Sequence, residues 1–219
     1  DPEKRKSNKT ALDTVYRAVY NKTGGIPMDN REVILETALE LFYTRGYDAV
    51  GVQEIAERSG VTKPTLYYYF KSKYGLLEQL LEERGGAFIQ KLQEACVYHG
   101  DLRKTLIDTA NVLVDFAEQD PKFYVLFLAL YHSARENEAY RAARPMVIRL
   151  QREVDRIFES AAGHLGNMNG RQRQFSLGFL GLVLYYVMMK LEVSKGKQFT
   201  VSQEEVESLV HQFMHGIYS

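Results

Sequence analysis

The stretch VQEIAERSGVTKPTLYYYFKSK, Val52 to Lys73, decides how this chain is read. Ile55 and Ala56 give an apolar side to a short helix that Gly60 ends, and Thr62 is a hydroxyl N-cap for a second short helix over Lys63–Phe70. Two short helices joined by a tight glycine turn have helix-turn-helix spacing. With Leu66 set at zero on a helical wheel of about 100° per residue, Phe70 falls at about 40°, Pro64 at about 160°, Tyr68 at about 200° and Thr65 at about 260°. Leu66 and Phe70 therefore point into a small core. Thr65 and Tyr68 point away from it, and Tyr67 and Tyr69 lie on the flanks. Arg58, Lys63, Lys71 and Lys73 are the charged residues between Arg58 and Leu77, with no acid among them. An aromatic row beside lysines, with no carboxylate to repel a polyanion, suits a phosphate backbone. The helix N-terminus at Thr62 and Lys63 adds amide donors for a phosphate.

Such a unit needs a supporting helix, and the residues on either side supply one. Ile34, Ala38, Leu41 and Phe42 recur at helical spacing over 30–45, with Asp29 or Asn30 as N-cap and Gly46 as the terminator. Ser72 caps a fourth helix running to about residue 98, interrupted by Gly85-Gly86, which reads as either a pivot or a close packing contact. Further on, Asp120-Pro121 is an N-cap followed by proline at N1. A long helix is expected over 137–162 and another over 171–194, and Ser202 with Glu205 makes a capping box for the last one. Strand patterns are almost absent.

The segment ETALELFYTRGYDAVGVQEIAERSGVTKPTLYYYFKSKYGLLEQLL, residues 36–81, closely resembles the TetR family of bacterial regulators, above all in TLYYYFKSK. The resemblance implies an all-α fold, with an N-terminal three-helix helix-turn-helix DNA-binding domain followed by a helical-bundle regulatory and dimerisation domain. It implies a homodimer on a pseudo-palindromic double-stranded operator, most simply a repressor released by a small-molecule effector. The alternative is an activator, or a regulator without an effector. By position, Thr62, Lys63, Thr65, Tyr67, Tyr68 and Tyr69 match contacts of the recognition helix, Lys73 matches a phosphate contact, and Gln53 matches a contact from the preceding helix. Family members usually cap that preceding helix with Ser or Thr, where this chain has Gly51.

The domains expected are a basic extension over 1–27, the DNA-binding module over 28–76 and the effector-binding and dimerisation domain over 77–219. The extension carries six basic and three acidic residues, a net +3, and a short amphipathic helix is expected in it over 7–22. In the large domain, Phe116, Phe123, Phe127, Tyr131, Phe179 and Tyr186 are candidates for lining a site for a small hydrophobic or aromatic effector. On helix 171–194, Phe175, Phe179, Leu182, Tyr186 and Met189 share one stripe, and Gly178, Gly181 and Tyr185 share another. The glycine stripe, with Leu209 and Phe213 of the last helix, is expected to form a four-helix dimer interface.

Composition narrows the alternatives. With 28 basic and 28 acidic residues the net charge is zero, so any anion-binding surface must be local. Cys96 is the single cysteine and reads as a buried thiol in a reducing cytoplasm. Residues 1–10 are polar and basic, unlike a secretory signal, and the apolar run Phe175–Met189 is shorter than the ~20 residues that span a bilayer. No membrane partner is therefore expected. No nucleophile–base pair, glycine-rich phosphate loop or metal spacing stands out, so neither catalysis, a cofactor nor a metal is expected. His211 and His215, four apart, lack a third ligand in the sequence pattern.

Overall fold

The computed structural model describes residues 29–166, 168–194 and 199–216, and among these every regular element is helical. The helix expected over 7–22 lies outside the described residues. The described residues form two compact units: those from Asp29 to Glu82 with Val125–Ala142, and Glu83–Tyr124 with the described residues after Ala142.

The first unit is built on α1 (Asn30–Arg45), α2 (Val52–Arg58) and α3 (Lys63–Phe70), each packed on the other two. Ile34, Leu35, Ala38, Leu41 and Phe42 are buried along α1 and meet Ile55, Leu66 and Phe70, which are also buried. Burying each large apolar side chain contributes roughly 1.5–3 kcal/mol. Gly46 ends α1 at φ 81°, a left-handed conformation that suits glycine. Asp29 occupies the N-cap position, but its side chain does not bond the helix; it accepts instead from the Tyr69 hydroxyl of α3 at 3.4 Å. The first part of α4 (Lys73–Ala95), the end of α6 (Pro121–Tyr131) and the start of α7 (Glu138–Ala161) complete this unit. The Tyr47 hydroxyl donates to Glu138 at 2.7 Å and the Asn137 amide donates to Asp48 at 2.6 Å, tying the α1–α2 loop to the start of α7.

In the second unit α4 and α7 run side by side in the same direction. Gly85 faces Met146 near the start of the contact, and Gln93 donates to Glu153 at 3.2 Å further along. The glycine pair does not interrupt α4, which is continuous. A Cβ on Gly85 would lie 2.6 Å from the Met146 sulfur, so this glycine permits close approach, whereas Gly86 has open space. Cys96 is buried beside Thr109, and burial pushes its thiol up to about 12. Helix α5 (Leu102–Gln119) packs on α8 (Gln172–Ser194) and α9 (Gln203–His215). The predicted capping box opens α9: Ser202 Oγ accepts from the Glu205 amide and the Glu205 carboxylate accepts from the Ser202 amide.

One expected stripe is rotated. The side of α8 that is buried carries Ser176, Phe179, Leu180, Val183 and Val187, while Met189 is exposed. Apolar residues surround this helix on most sides, so periodicity alone does not select the buried face.

Candidate nucleic-acid interface

The candidate surface is presented by α3. Thr62 Oγ1 accepts from the Thr65 amide at 3.3 Å and lies 2.8 Å from the Thr65 hydroxyl, so the helix begins where the sequence places it. Leu66 and Phe70 are buried and hold the inner side. The Arg31 guanidinium lies 5.7 Å from the centroid of the Phe70 ring and adds to that anchorage. On the outer side Tyr68 is 74% exposed and Tyr67 is 40% exposed. Tyr69 is half-buried, turned towards Asp29, and its ring meets the Tyr68 ring edge-on at 5.3 Å. The wheel positions of Leu66, Phe70, Tyr68 and the flanking tyrosines therefore hold.

The cations divide into two sets. Arg45 and Arg58 both pair with Glu54 of α2. Lys73 is turned inward: its Nζ donates to the carbonyls of Tyr47 at 3.0 Å and Val50 at 3.1 Å, and lies 4.0 Å from the Tyr47 ring centroid. That placement gives Lys73 a second, structural task beside the phosphate contact expected of it. Two of its three N–H groups hold the α1–α2 loop, because that loop's carbonyls lie beyond the end of α1 and need donors. Lys63 and Lys71 are exposed, and the Lys71 ammonium lies 5.8 Å from the Tyr68 ring centroid. Gln53 is exposed on α2, where it donates to Glu57 at 2.7 Å. Gly51 stands at the N-cap of α2, which has no side-chain cap.

A feature the sequence reading passed over is the turn between α3 and α4. The Ser72 amide donates to the Phe70 carbonyl at 2.7 Å, and Lys71 sits between them at φ 64°, ψ −37°. This is a γ-turn with a lysine at its centre. Gly75 approaches from the first turn of α4, where a Cβ would come 2.3 Å from the Phe70 carbonyl oxygen. No periodicity or capping signal marks such a turn. The only trace in the sequence is a glycine three residues after Ser72, the cap of α4.

The six candidate effector residues are divided between the two units, Phe127 and Tyr131 in the first and Phe116, Phe123, Phe179 and Tyr186 in the second. Phe116 and Phe123 lie together, with ring centroids 5.8 Å apart, and Phe116 stacks on Phe88 at 4.0 Å and meets Tyr124 edge-on at 5.9 Å. Phe127 is buried in the first unit, and Tyr131 stacks on Tyr140 there. Phe179 packs with Phe213, its ring centroid 5.4 Å away. The Tyr186 hydroxyl donates to Glu205 at 2.6 Å and is committed to the start of α9.

Of the expected dimer residues, Gly178, Gly181 and Tyr185 lie on the exposed side of α8, together with Leu177, Met188 and Val193. Phe213 is half-buried beside this stripe, where a Cβ on Gly178 would stand 3.7 Å from its ring. Leu209 is buried in the chain's own core, and Phe213 joins a ring cluster with Phe158, Phe175 and Phe179. Exposed positions in the second half of α9 carry His211, Gln212, Met214 and His215. Among the described residues α8 is the one helix long and apolar enough to cross a membrane by length and composition, with 28% of its apolar window buried. No group of three metal-ligating side chains occurs among the described residues.

Comparison with known proteins places the segment that carries this surface in a family. The sequence model of the family described as "Bacterial regulatory proteins, tetR family" matches residues 34–80, which hold α1, α2, α3 and the turn into α4. The chain is 30% identical over 164 residues to the HTH-type transcriptional activator FasR of Mycolicibacterium smegmatis, covering 74% of this chain and 73% of that one. It is 38% identical over 61 residues to the fatty acid metabolism regulator protein of Bacillus subtilis, covering 28% of this chain and 31% of that one. In fold it is similar to the crystal structure of the regulator FadR from Bacillus subtilis in complex with stearoyl-CoA: TM-score 0.70, 19% identity, 85% of this chain and 99% of that one. With a family model matched over residues 34–80 and a relative that aligns over most of both chains, the protein belongs to the TetR family of bacterial transcriptional regulators.

Proposed function

We propose that this regulator is a repressor, which binds a pseudo-palindromic operator as a homodimer in the cytoplasm and is released by a hydrophobic effector carrying a long acyl chain. The observation that carries the reading is the outward Tyr68, presented between exposed lysines by a helix whose inner side is anchored by Leu66 and Phe70. Two such helices, about 34–36 Å apart in a dimer, read successive major grooves. Tyr67 and Tyr68, with Thr65 and Gln53, are the groups available for base edges and sugars, and Lys63 for a phosphate. The exposed side of α8, with Tyr185 and Val193 flanking the glycines, is read as the dimer face because an apolar stripe of that size calls for a partner.

The acyl effector is supported by the regulators this chain resembles, one of them named for fatty acid metabolism and one bound to stearoyl-CoA. The Phe88, Phe116, Phe123 and Tyr124 rings offer an apolar wall for such a chain. Release then needs only that the effector bind one of two conformations more tightly. The test is an electrophoretic shift on the DNA upstream of the gene, with and without stearoyl-CoA, beside light scattering for the oligomeric state. A retarded dimer that the thioester releases is the expected result. A monomer, or binding indifferent to acyl-CoA of any chain length, overturns the dimer or the effector reading respectively.

A second reading is activation, favoured by the likeness to FasR, which is named an activator. A reporter driven by the bound promoter separates the two. Deletion of the regulator raises expression if it represses and lowers it if it activates.

A further inference from the structure

We infer that Lys71, which the family resemblance does not single out, is a DNA phosphate ligand, and that its strained backbone is retained in order to place an ammonium beside Tyr68. The inference rests on the DNA-binding reading of α3.

The backbone is the first observation. Lys71 is the central residue of a γ-turn, at φ 64° and ψ −37°, closed by the Ser72 amide on the Phe70 carbonyl at 2.7 Å. L side chains avoid this region and glycine adopts it freely. The turn itself is therefore served better by glycine, and a lysine there calls for a reason that lies in its side chain.

The side chain supplies that reason. It is exposed and folds back along α3: its Nζ donates to the Tyr68 carbonyl at 3.1 Å and lies 5.8 Å from the Tyr68 ring centroid. Its ammonium thus stands against the most exposed aromatic ring of the recognition helix. Of the other nearby cations, Arg45 and Arg58 pair with Glu54 and Lys73 donates to two carbonyls, which leaves Lys63 as the other exposed lysine of this segment. Lys71 keeps two N–H groups beyond the Tyr68 carbonyl, and a phosphate lying next to a base pair touched by Tyr68 is within reach of a four-carbon stem. A phosphate contact carries no sequence information, so it adds affinity on every duplex and strengthens the salt dependence of binding.

A competing role is purely local, with Lys71 as a C-terminal cap for α3. The two roles predict opposite effects of Lys71→Gly. Binding of wild type, Lys71→Gly and Lys71→Arg is measured over a salt series on the DNA upstream of the gene and on a scrambled duplex, alongside thermal melts. Lys71→Gly is expected to weaken binding to both duplexes by the same factor and to lower the salt slope by about 1 per protomer, with a melting temperature equal to or above wild type. Lys71→Arg is expected to keep the wild-type slope. An unchanged slope in Lys71→Gly, or a lower melting temperature, overturns the inference. Wild-type protein that binds neither duplex defeats the underlying DNA-binding reading instead, so the two failures are distinct.

Discussion

The Lys73 ammonium sits 4.0 Å from the Tyr47 ring centroid and donates to the carbonyls of Tyr47 and Val50. One side chain thus closes the loop between α1 and α2 from the first residue of α4. Removing it leaves two loop carbonyls to find water and strips the cation from an aromatic face. Lys73→Met, which keeps most of the stem, is expected to destabilise the protein by roughly 1–3 kcal/mol. Thermal melts check this. A Lys73→Met protein with wild-type stability and a reduced salt slope on DNA would leave Lys73 with the phosphate contact alone.

Tyr68 and Leu66 are two residues apart and face opposite ways, so their truncations should separate function from stability. Tyr68→Ala removes an exposed ring and is expected to leave the melting temperature within a degree or two while weakening specific operator binding by ~1–3 kcal/mol. Leu66→Ala opens a cavity under the recognition helix and is expected to cost ~2–5 kcal/mol of stability. Melts and shift assays on both variants decide. If Tyr68→Ala unfolds the module, the ring is a core group and the DNA surface lies elsewhere.

Local signals made much of the fold readable. Thr62, Ser72, Asp120 and Ser202 each accept from an amide three residues on, and each marks a helix start in the sequence. The Leu66–Phe70 anchor and the outward Tyr68 follow from helical geometry alone. What escaped the sequence depends on distant partners. Nothing near Tyr47 or Asp48 announces Glu138 or Asn137, some ninety residues away. Lys73 reads as a surface cation until the carbonyls of the α1–α2 loop are placed beside it. Tyr186 and Phe213 belong to stripes with more than one apolar side, and only the packing of α5, α8 and α9 decides which side turns inward.

Gly75 and Gly86 both lie within α4, yet alanine is expected to act oppositely at the two. At Gly86 there is open space, and replacing glycine inside a helix stabilises it by up to ~1 kcal/mol. At Gly75 the new methyl would meet the Phe70 carbonyl oxygen at 2.3 Å, a backbone atom that can move only if the γ-turn opens. Gly75→Ala is expected to lose roughly 1–3 kcal/mol and to weaken DNA binding as the end of α3 shifts. Chemical denaturation of both variants gives the comparison. Equal effects at the two positions would mean that the α3–α4 turn is slack rather than tight.

Glu205 closes a cluster at the start of α9. The Lys190 ammonium and the Tyr186 hydroxyl both donate to its Oε1 at 2.6 Å, and the Ser202 amide donates to Oε2 at 2.9 Å. These bonds, the Lys190 ammonium first, pull the Glu205 carboxyl down from 4.5 to about 2. A carboxyl with a lower value in the folded state stabilises the fold fully above its unfolded value. As pH falls from 4.5 towards 2, the unfolded chain takes up the proton first and that contribution drains away. On the alkaline side Lys190 is raised, chiefly by the same bond, so its share is complete below its ordinary value and fades as pH rises through the folded one. Glu205→Gln is therefore expected to lower the melting temperature at neutral pH and to narrow its gap to wild type steadily between about pH 4.5 and 2, as the wild-type carboxylate is lost. Melts of both proteins across that window measure the gap. Since the remaining carboxylates titrate alike in the two proteins, a gap that stays constant with pH would mean that Glu205 acts through its shape as a cap and not through its charge.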